Sequence, residues 1–220
     1  MSQKNNFLIS YSLSHRFAWY RVAKVATRSI HSLLGDNVFD YIYLNKPGEM
    51  PDDLAAILHS DCFRFAFVRN PWDRLVSAWN NKIRRNVKHR LGYLKRLYTP
   101  IGSPLVSNLS GQSVEDIMEF GAFLKLLPDS TLFHQDRHFR PQAEILVNTD
   151  LHFTGRFDHF SGDFKYVLNY IGLPHLQDEI PHRNQSKFHC HYRELFFNPN
   201  DRQLVADLYL KDINRWGFEF

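Results

Sequence analysis

The sequence predicts an α/β fold, a parallel sheet with helices on its faces. Three observations carry that expectation. Between residues 16 and 69, strand patterns and helix patterns alternate as strand, helix, strand, helix, strand. An apolar strand, Phe63-Arg64-Phe65-Ala66-Phe67-Val68, runs directly into Arg69-Asn70-Pro71 and then into a helix pattern. The 220 residues are 44% hydrophobic and 15% aromatic, enough for one domain to bury a core and too apolar for disorder as the overall state.

The elements follow in order. Arg16 to Val22 is an aromatic-rich strand. The polar and small run Ala23 to Ser29 leads to Ile30, Leu33 and Leu34 at helical spacing, with Gly35 as a stop. Val38 to Leu44 is a second strand, Asp52 to His59 a helix, and Phe63 to Arg69 a third strand. Pro71 then sits in the first turn of a helix, where a missing N–H costs nothing. Trp72, Leu75, Val76, Trp79 and Ile83 share its apolar face, and Asp73, Ser77, Asn80 and Arg84 its polar face.

Residues 84–98 are basic through Arg84, Arg85, Lys88, Arg90, Lys95 and Arg96, and 99–112 is a Pro-, Gly- and Ser-rich loop. The span 86–112 reads as a mobile insertion in a single domain covering 1–220. Ser113 opens a helix through Ile117, Phe120, Phe123, Leu124 and Leu127 that stops at Pro128. Leu151 to Phe157 is a fourth strand, and Phe164, Val167, Leu168 and Ile171 form a helix closed by Gly172 and Pro174. Asn198-Pro199 starts a last helix carrying Leu204, Val205, Leu208, Tyr209 and Ile213. There is no internal repeat.

The net charge of +4 and a pI near 9.0 favour an anionic partner without identifying it. Two cysteines, Cys62 and Cys190, exclude a disulfide framework. His189-Cys190-His191 is too compact to close a metal site without a partner pair. No run approaches the ~18 apolar residues of a membrane span, and no signal peptide is visible. The expectation is therefore a soluble, cytoplasmic chain. The sequons at Asn108 and Asn184 read as chance matches.

Two segments carry chemistry. Lys24-Val25-Ala26-Thr27-Arg28-Ser29 lies between a strand and a helix, where free N–H groups and the helix dipole bind phosphate. Lys24 adds a point charge, and Thr27, Arg28 and Ser29 add donors. The nucleotide-triphosphatase P-loop requires two glycines before its lysine; here the lysine precedes the turn and no glycine is present. An ordinary strand-to-helix turn with a solvated lysine is the plainer alternative. Arg69 and Ser77 form the second segment, an arginine fork and a hydroxyl suited to a phosphate. Its plainer alternative is a structural salt bridge beside an exposed serine. Arg74 could likewise pair with a carboxylate on its own helix.

Together these segments resemble the sulfotransferases that use 3′-phosphoadenosine 5′-phosphosulfate (PAPS). Lys24 to Ser29 is similar to their 5′-phosphosulfate loop, although Ala23 stands where the family has proline, and Arg28, Ser29 and Ile30 depart from its pattern. Arg69-Asn70-Pro71-Trp72-Asp73-Arg74-Leu75-Val76-Ser77-Ala78-Trp79 is similar to their 3′-phosphate motif. The wording is closest to the carbohydrate sulfotransferases of the chondroitin 4-O- and HNK-1-type group. His138-Phe139-Arg140-Pro141-Gln142, Phe153-Thr154-Gly155-Arg156-Phe157-Asp158, Tyr209 to Asp212 and Gly217-Phe218 extend the resemblance over about 16–220.

The resemblance implies a P-loop-like three-layer sandwich with a central parallel sheet flanked by helices. It also implies in-line sulfuryl transfer from PAPS to a carbohydrate hydroxyl, releasing 3′-phosphoadenosine 5′-phosphate (PAP), with no metal. Lys24 would offset charge on the leaving 5′-phosphate oxygen, and Arg69 and Ser77 would hold the 3′-phosphate. His138 is the favoured general base, with His134 and Asp136 as alternatives. Arg140 is a substrate-contact candidate, and Arg183, Asn184 and Lys187 could close over the nucleotide.

Family members in animal cells usually carry a membrane anchor and work in the Golgi, so a Golgi lumen location would require this chain to be truncated. A carbohydrate acceptor is expected, with no nucleic acid and no membrane span; the oligomeric state is open. The competing classes are a nucleotide-dependent kinase and a non-catalytic polyanion-binding module using Arg84 to Arg96.

Overall fold

A computed structural model describes residues 8–35, 38–44, 55–56, 58, 60–106, 109, 118–180 and 191–220, with the backbone alone at 41–44. Two compact units make up the chain, each discontinuous in sequence: 1–69 with 145–185, and 70–144 with 186–220.

The first unit is built on a five-stranded sheet: β1 (Leu8–Ser12), β2 (Phe17–Arg21), β3 (Tyr41–Leu44), β4 (Phe63–Val68) and β5 (Phe153–Arg156). The spatial order is β3-β1-β2-β4-β5. β2, β4 and β5 are mutually parallel, as the sequence predicts. β1 is the departure. It lies antiparallel to both β2 and β3, so the sheet is mixed. Leu8-Ile9-Ser10-Tyr11-Ser12 is short and carries two serines, which hides its strand character, yet Ser10 and Ser12 are both fully buried. A tight turn joins it to β2, with Arg16 N–H donating to Leu13 O at 3.3 Å and Arg16 at φ 48°.

Side chains on both faces of β2 and β4 are buried, which is the burial expected of sheet strands covered on each side. One face is aromatic: Trp19 stacks on Phe65 at 6.2 Å between centroids, and Phe67 meets Phe160 and Phe164. Helix α1 (Thr27–Leu34) buries Ile30 and Leu34 and sets His31 against Trp19. It stops where expected, at Gly35, whose φ of 67° suits glycine and whose N–H returns to His31 O.

The helix expected at Asp52–His59 lies largely outside the described residues, as do the start of the helix expected from Ser113 and the Cys190 segment. The helix closing this unit, Phe160–Tyr170, ends at Gly172 (φ 78°), with Leu173 N–H reaching Leu168 O at 2.8 Å.

The second unit is helical. Its helices are α2 (Pro71–Trp79), α3 (Arg90–Leu97), α4 (Phe120–Leu126), α5 (Thr131–Gln135), α6 (Gln142–Ile145, whose last residue belongs to the first unit), α8 (Pro199–Leu208) and α9 (Leu210–Trp216), with α7 being Phe160–Tyr170 of the first unit. Asn70 caps α2 by accepting from Trp72 N–H and Asp73 N–H, and Pro71 fills its first position.

The backbone then widens into a π-helical turn, Asn80–Arg84. Asn80, at the junction with that turn and expected on the polar face, is buried. Within the span read as an insertion, α3 buries Leu94 and Leu97 in the core with Phe123, Phe139 and Tyr209. The single helix expected after Asn198 is broken at Tyr209 (φ −111°, ψ 24°) into α8 and α9.

Gly155 pairs with Phe67 across β4 and β5, and a Cβ there would stand 2.3 Å from Phe67 Cε1. Phe65, Phe160 and Phe164 hold that ring in place. Gly155→Ala should therefore lower unfolding free energy by roughly 1–3 kcal/mol, read as a reduced denaturant midpoint at unchanged m-value.

Candidate active site

In the first unit, the segment between β2 and α1 is held in an unusual backbone. Lys24 and Ala26 both adopt left-handed φ, 71° and 47°, at a cost of about 1 kcal/mol or more each because neither is glycine. Val22 and Val25 are buried and anchor the loop. Ala26 is the cap position of α1, and no side chain caps the helix there. An uncapped first turn directs N–H groups and the positive end of the dipole outward.

Arg69, directly after β4, donates from Nη1 to the Lys24 carbonyl at 3.1 Å. Its guanidinium also covers the Phe157 ring at 4.2 Å. Residues from three separate motifs, Lys24, Arg69 and Phe157, are thus brought together within this unit.

The donors expected on α1 are not equivalent. Arg28 is exposed and Thr27 half-buried, while Ser29 is buried and Val25 almost completely so. Val25 and Ala26 have no polar side-chain atom, so only their backbone can meet an anion. Arg183 and Lys187 lie outside the described residues.

In the second unit, the segment 136–143 is clamped by residues far away in sequence. Arg74 is completely buried in α2; its Nη1 donates to Arg140 O and its Nη2 to Arg137 O, each at 2.9 Å. Tyr209 Oη donates to Phe139 O at 2.5 Å. Asp212 accepts from Gln142 N–H at 2.9 Å, Gln142 Nε2 at 3.0 Å and Ala143 N–H at 2.7 Å. Burial pushes the Asp212 carboxyl up, against the Arg74 charge and these N–H donors, which favour its ionised form. Sequence inspection places Tyr209 and Asp212 in a motif without a role; the structure supplies it.

Within the clamped segment, Asp136 Oδ1 accepts from His138 N–H and is 2.8 Å from His138 Nδ1, while Asp136 Oδ2 accepts from Arg96 Nη1. Burial alone would raise the Asp136 carboxyl, but its hydrogen bonds with His138 and the neighbouring His138 and Arg96 charges outweigh it. They hold the group well below the usual carboxylate range. Burial lowers His138 from its ordinary value, with Asp136 acting in the opposite direction. An ionised carboxylate only accepts, so His138 Nδ1 carries the proton and Nε2 keeps its lone pair.

His134 is arranged differently. It is exposed on α5, and its Nε2 donates to the Pro128 carbonyl at 2.8 Å. Arg140 is nine-tenths buried with Glu144 3.9 Å away, and its Nε has no hydrogen-bond partner among the described residues. Ser77, half-buried on α2, lies in this same unit.

Several of the basic residues between 84 and 98 have internal partners, and Arg84 lies over the Trp79 ring at 5.9 Å. Arg90 caps the π-helical turn through Ile83 O and Arg84 O, and Arg96 pairs with Asp136. Among the described residues, no cluster of three or more His, Cys, Asp or Glu side chains is placed to hold a metal, and no helix is long and apolar enough to cross a membrane. Asp212→Ala removes the acceptor of one buried and one partly buried backbone N–H group and should cost about 3 kcal/mol, measured by equilibrium denaturation.

Carbohydrate sulfotransferase 14 of Mus musculus is 27% identical over 165 residues, covering 71% of this chain and 41% of that protein. The Homo sapiens protein of the same name gives the same identity and coverage, and the Danio rerio one is 25% identical over 71% of this chain and 43% of its own length. The chain thus spans less than half the length of the curated relatives it matches. No solved structure matches it. The sulfotransferase family model matches residues 9–219, nearly the whole chain. The phosphate-type loop, the strand-end arginine and the clamped histidine segment all fall inside that match, and the chain belongs to the sulfotransferase family.

Proposed function

We propose that this chain transfers a sulfuryl group from PAPS to a hydroxyl of a carbohydrate acceptor. The observation that carries the reading is the Arg69–Lys24 hydrogen bond, which puts a guanidinium at the loop leading into the uncapped start of α1. Two cations and a helix N-terminus in one unit suit a donor that bears several anionic groups. The carbohydrate acceptor is taken from the name of the matched relatives.

The roles are assigned residue by residue. Lys24 offsets charge on the 5′-phosphate oxygen as its bond to sulfur breaks. The backbone N–H groups from Val25 to Ser29 hold the phosphosulfate, with the Thr27 and Arg28 side chains in the first turn of α1 beside it. Arg69 takes the 3′-phosphate, and Ser77 is assigned a hydroxyl donor's role from the motif that it shares with Arg69. His138 Nε2 accepts the proton of the acceptor hydroxyl as that oxygen bonds sulfur. What favours His138 over its neighbours is that both Asp136 oxygens are already engaged, by Arg96 and by His138 itself, and that His134 is exposed and lies outside the clamped segment. Arg140 meets an anionic substrate group, which would compensate its weakly paired charge.

Calorimetric titration with PAP should show binding without metal and none with ATP; binding of ATP alone would sink the reading in favour of a kinase. Lys24→Ala and Arg69→Ala should each abolish sulfuryl transfer in folded protein. Lys24→Gly separates charge from strain: it should also abolish transfer while raising thermal stability, since glycine relieves the left-handed backbone by about 0.5–1 kcal/mol. His138→Ala should lose roughly a hundredfold or more in kcat and keep PAP affinity. Because protonation of His138 inactivates it and burial lowers its pKa, kcat should decline only as pH falls below the ordinary histidine value of about 6.5.

A further inference from the structure

We infer that Arg96 is a positioning residue for proton acceptance: by pairing with Asp136 it keeps ionised the carboxylate that fixes the His138 ring with Nε2 unprotonated. The inference rests on the proposed function for its chemistry and on geometry for its mechanism. Asp136 divides its two oxygens. Oδ2 takes the Arg96 guanidinium, and Oδ1 takes both the backbone N–H and the Nδ1 of His138. A guanidinium stays charged at any working pH, so Asp136 is an acceptor throughout the range in which His138 titrates. An acceptor at Nδ1 admits one neutral tautomer, the one with its lone pair on Nε2.

Arg96 is itself held. It lies in the last turn of α3, between the buried Leu94 and Leu97, and Thr131 Oγ1 from α5 donates to its carbonyl at 2.9 Å. The side chains of Arg96 and Asp136 are 28% and 10% exposed, so solvent screens the pair only partly.

The groups that act on His138 come from three elements: Lys82 from the π-helical turn, Tyr93 from α3, and Asp136 and Arg137 from its own segment, while Arg96 of α3 meets Asp136. The Tyr93 ring stands edge-on at 6.5 Å, so α3 supplies both a wall and a charge. The signs are opposed. Loss of the Arg96 cation removes repulsion against protonated His138 and raises its pKa. Loss of the Asp136 charge removes attraction and lowers it. A role confined to packing would produce no such opposed pair.

The test titrates His138 by NMR in full-length protein with labelled histidine, alongside the pH profile of kcat, in Arg96→Gln, Arg96→Lys and Asp136→Asn. The asparagine keeps an oxygen for the His138 N–H, removes the charge and replaces the oxygen that accepts from Arg96 by an NH2 group. Arg96→Gln should raise the His138 midpoint and the acid limb of kcat by about half a pH unit. It should also lower kcat about tenfold with donor KM unchanged, and Arg96→Lys should restore both. Asp136→Asn should move the midpoint down.

Folded Arg96→Gln with an unmoved midpoint and an unchanged kcat would overturn the inference. If that variant does not fold, an unmoved midpoint in Asp136→Asn, or one shifted upward, overturns it instead. The NMR titration needs no turnover. Opposed shifts in a protein that transfers no sulfuryl group would discard the proposed reaction and leave the control of His138 standing. Transfer with unmoved midpoints would discard only the role of Arg96.

Discussion

Residues 136–143 bring a run of backbone N–H and C=O groups into the interior of the second unit, and their pairing is the constraint on which the rest of that unit depends. A buried polar group left without a partner costs about 1–3 kcal/mol, so a segment of this kind is stable only where partners arrive from elsewhere. Arg74 pairs with two of its carbonyls, Tyr209 with a third, and Asp212 with two of its N–H groups. These demands explain features that look anomalous one by one. An arginine is completely buried in α2, the C-terminal helix is broken at Tyr209, and an aspartate is completely buried in α9. Phe139, whose neighbours on either side include His138 and Arg140, fills the core against Phe123 and Tyr93 and fixes the segment from its apolar side.

The first unit meets a different demand by a different means. A loop that turns its backbone N–H groups toward an anion needs left-handed residues, and glycine is the usual solution. Here Lys24 and Ala26 take those conformations, with the loop anchored by buried Val22 and Val25 and tied to Arg69 through the Lys24 carbonyl. Strain held in this way keeps the backbone in one shape before any ligand arrives. It also gives Lys24 two separable contributions, one through its amine and one through its φ.

Charge placement follows the same economy. The basic run after α2 could be read as a solvated face, and its sequence alone offers no reason to single out any member. Arg90 closes the π-helical turn, and Arg96 meets Asp136. The pair of Asp136 and His138 then has a definite proton arrangement: a carboxylate held ionised, an imidazole kept neutral by burial, and a tautomer chosen by the carboxylate. The three polar residues that the sequence shows within five positions, His134, Asp136 and His138, have different hydrogen-bond partners in the folded chain.

Much of this was legible in the chain itself. Apolar runs, the proline after Asn70, and glycines at positions 35 and 172 marked β2, β4, β5, α1, α2 and α7, because those signals are local and depend on burial and φ. The two candidate segments, Lys24 to Ser29 and Arg69 with Ser77, were picked out from the same kind of local signal, since strand ends and helix starts carry fixed chemistry. β1 was not, because its serines mask the pattern and its place between β2 and β3 is decided by pairing partners. Nor were the buried roles of Arg74, Tyr209 and Asp212 or the ion pair of Arg96. Arg74 acts 66 positions from Arg140, and Tyr209 acts 70 positions from Phe139. Periodicity reports whether a side chain faces the interior; only the folded chain decides which polar group it satisfies there, because that depends on distant atoms meeting within hydrogen-bond reach.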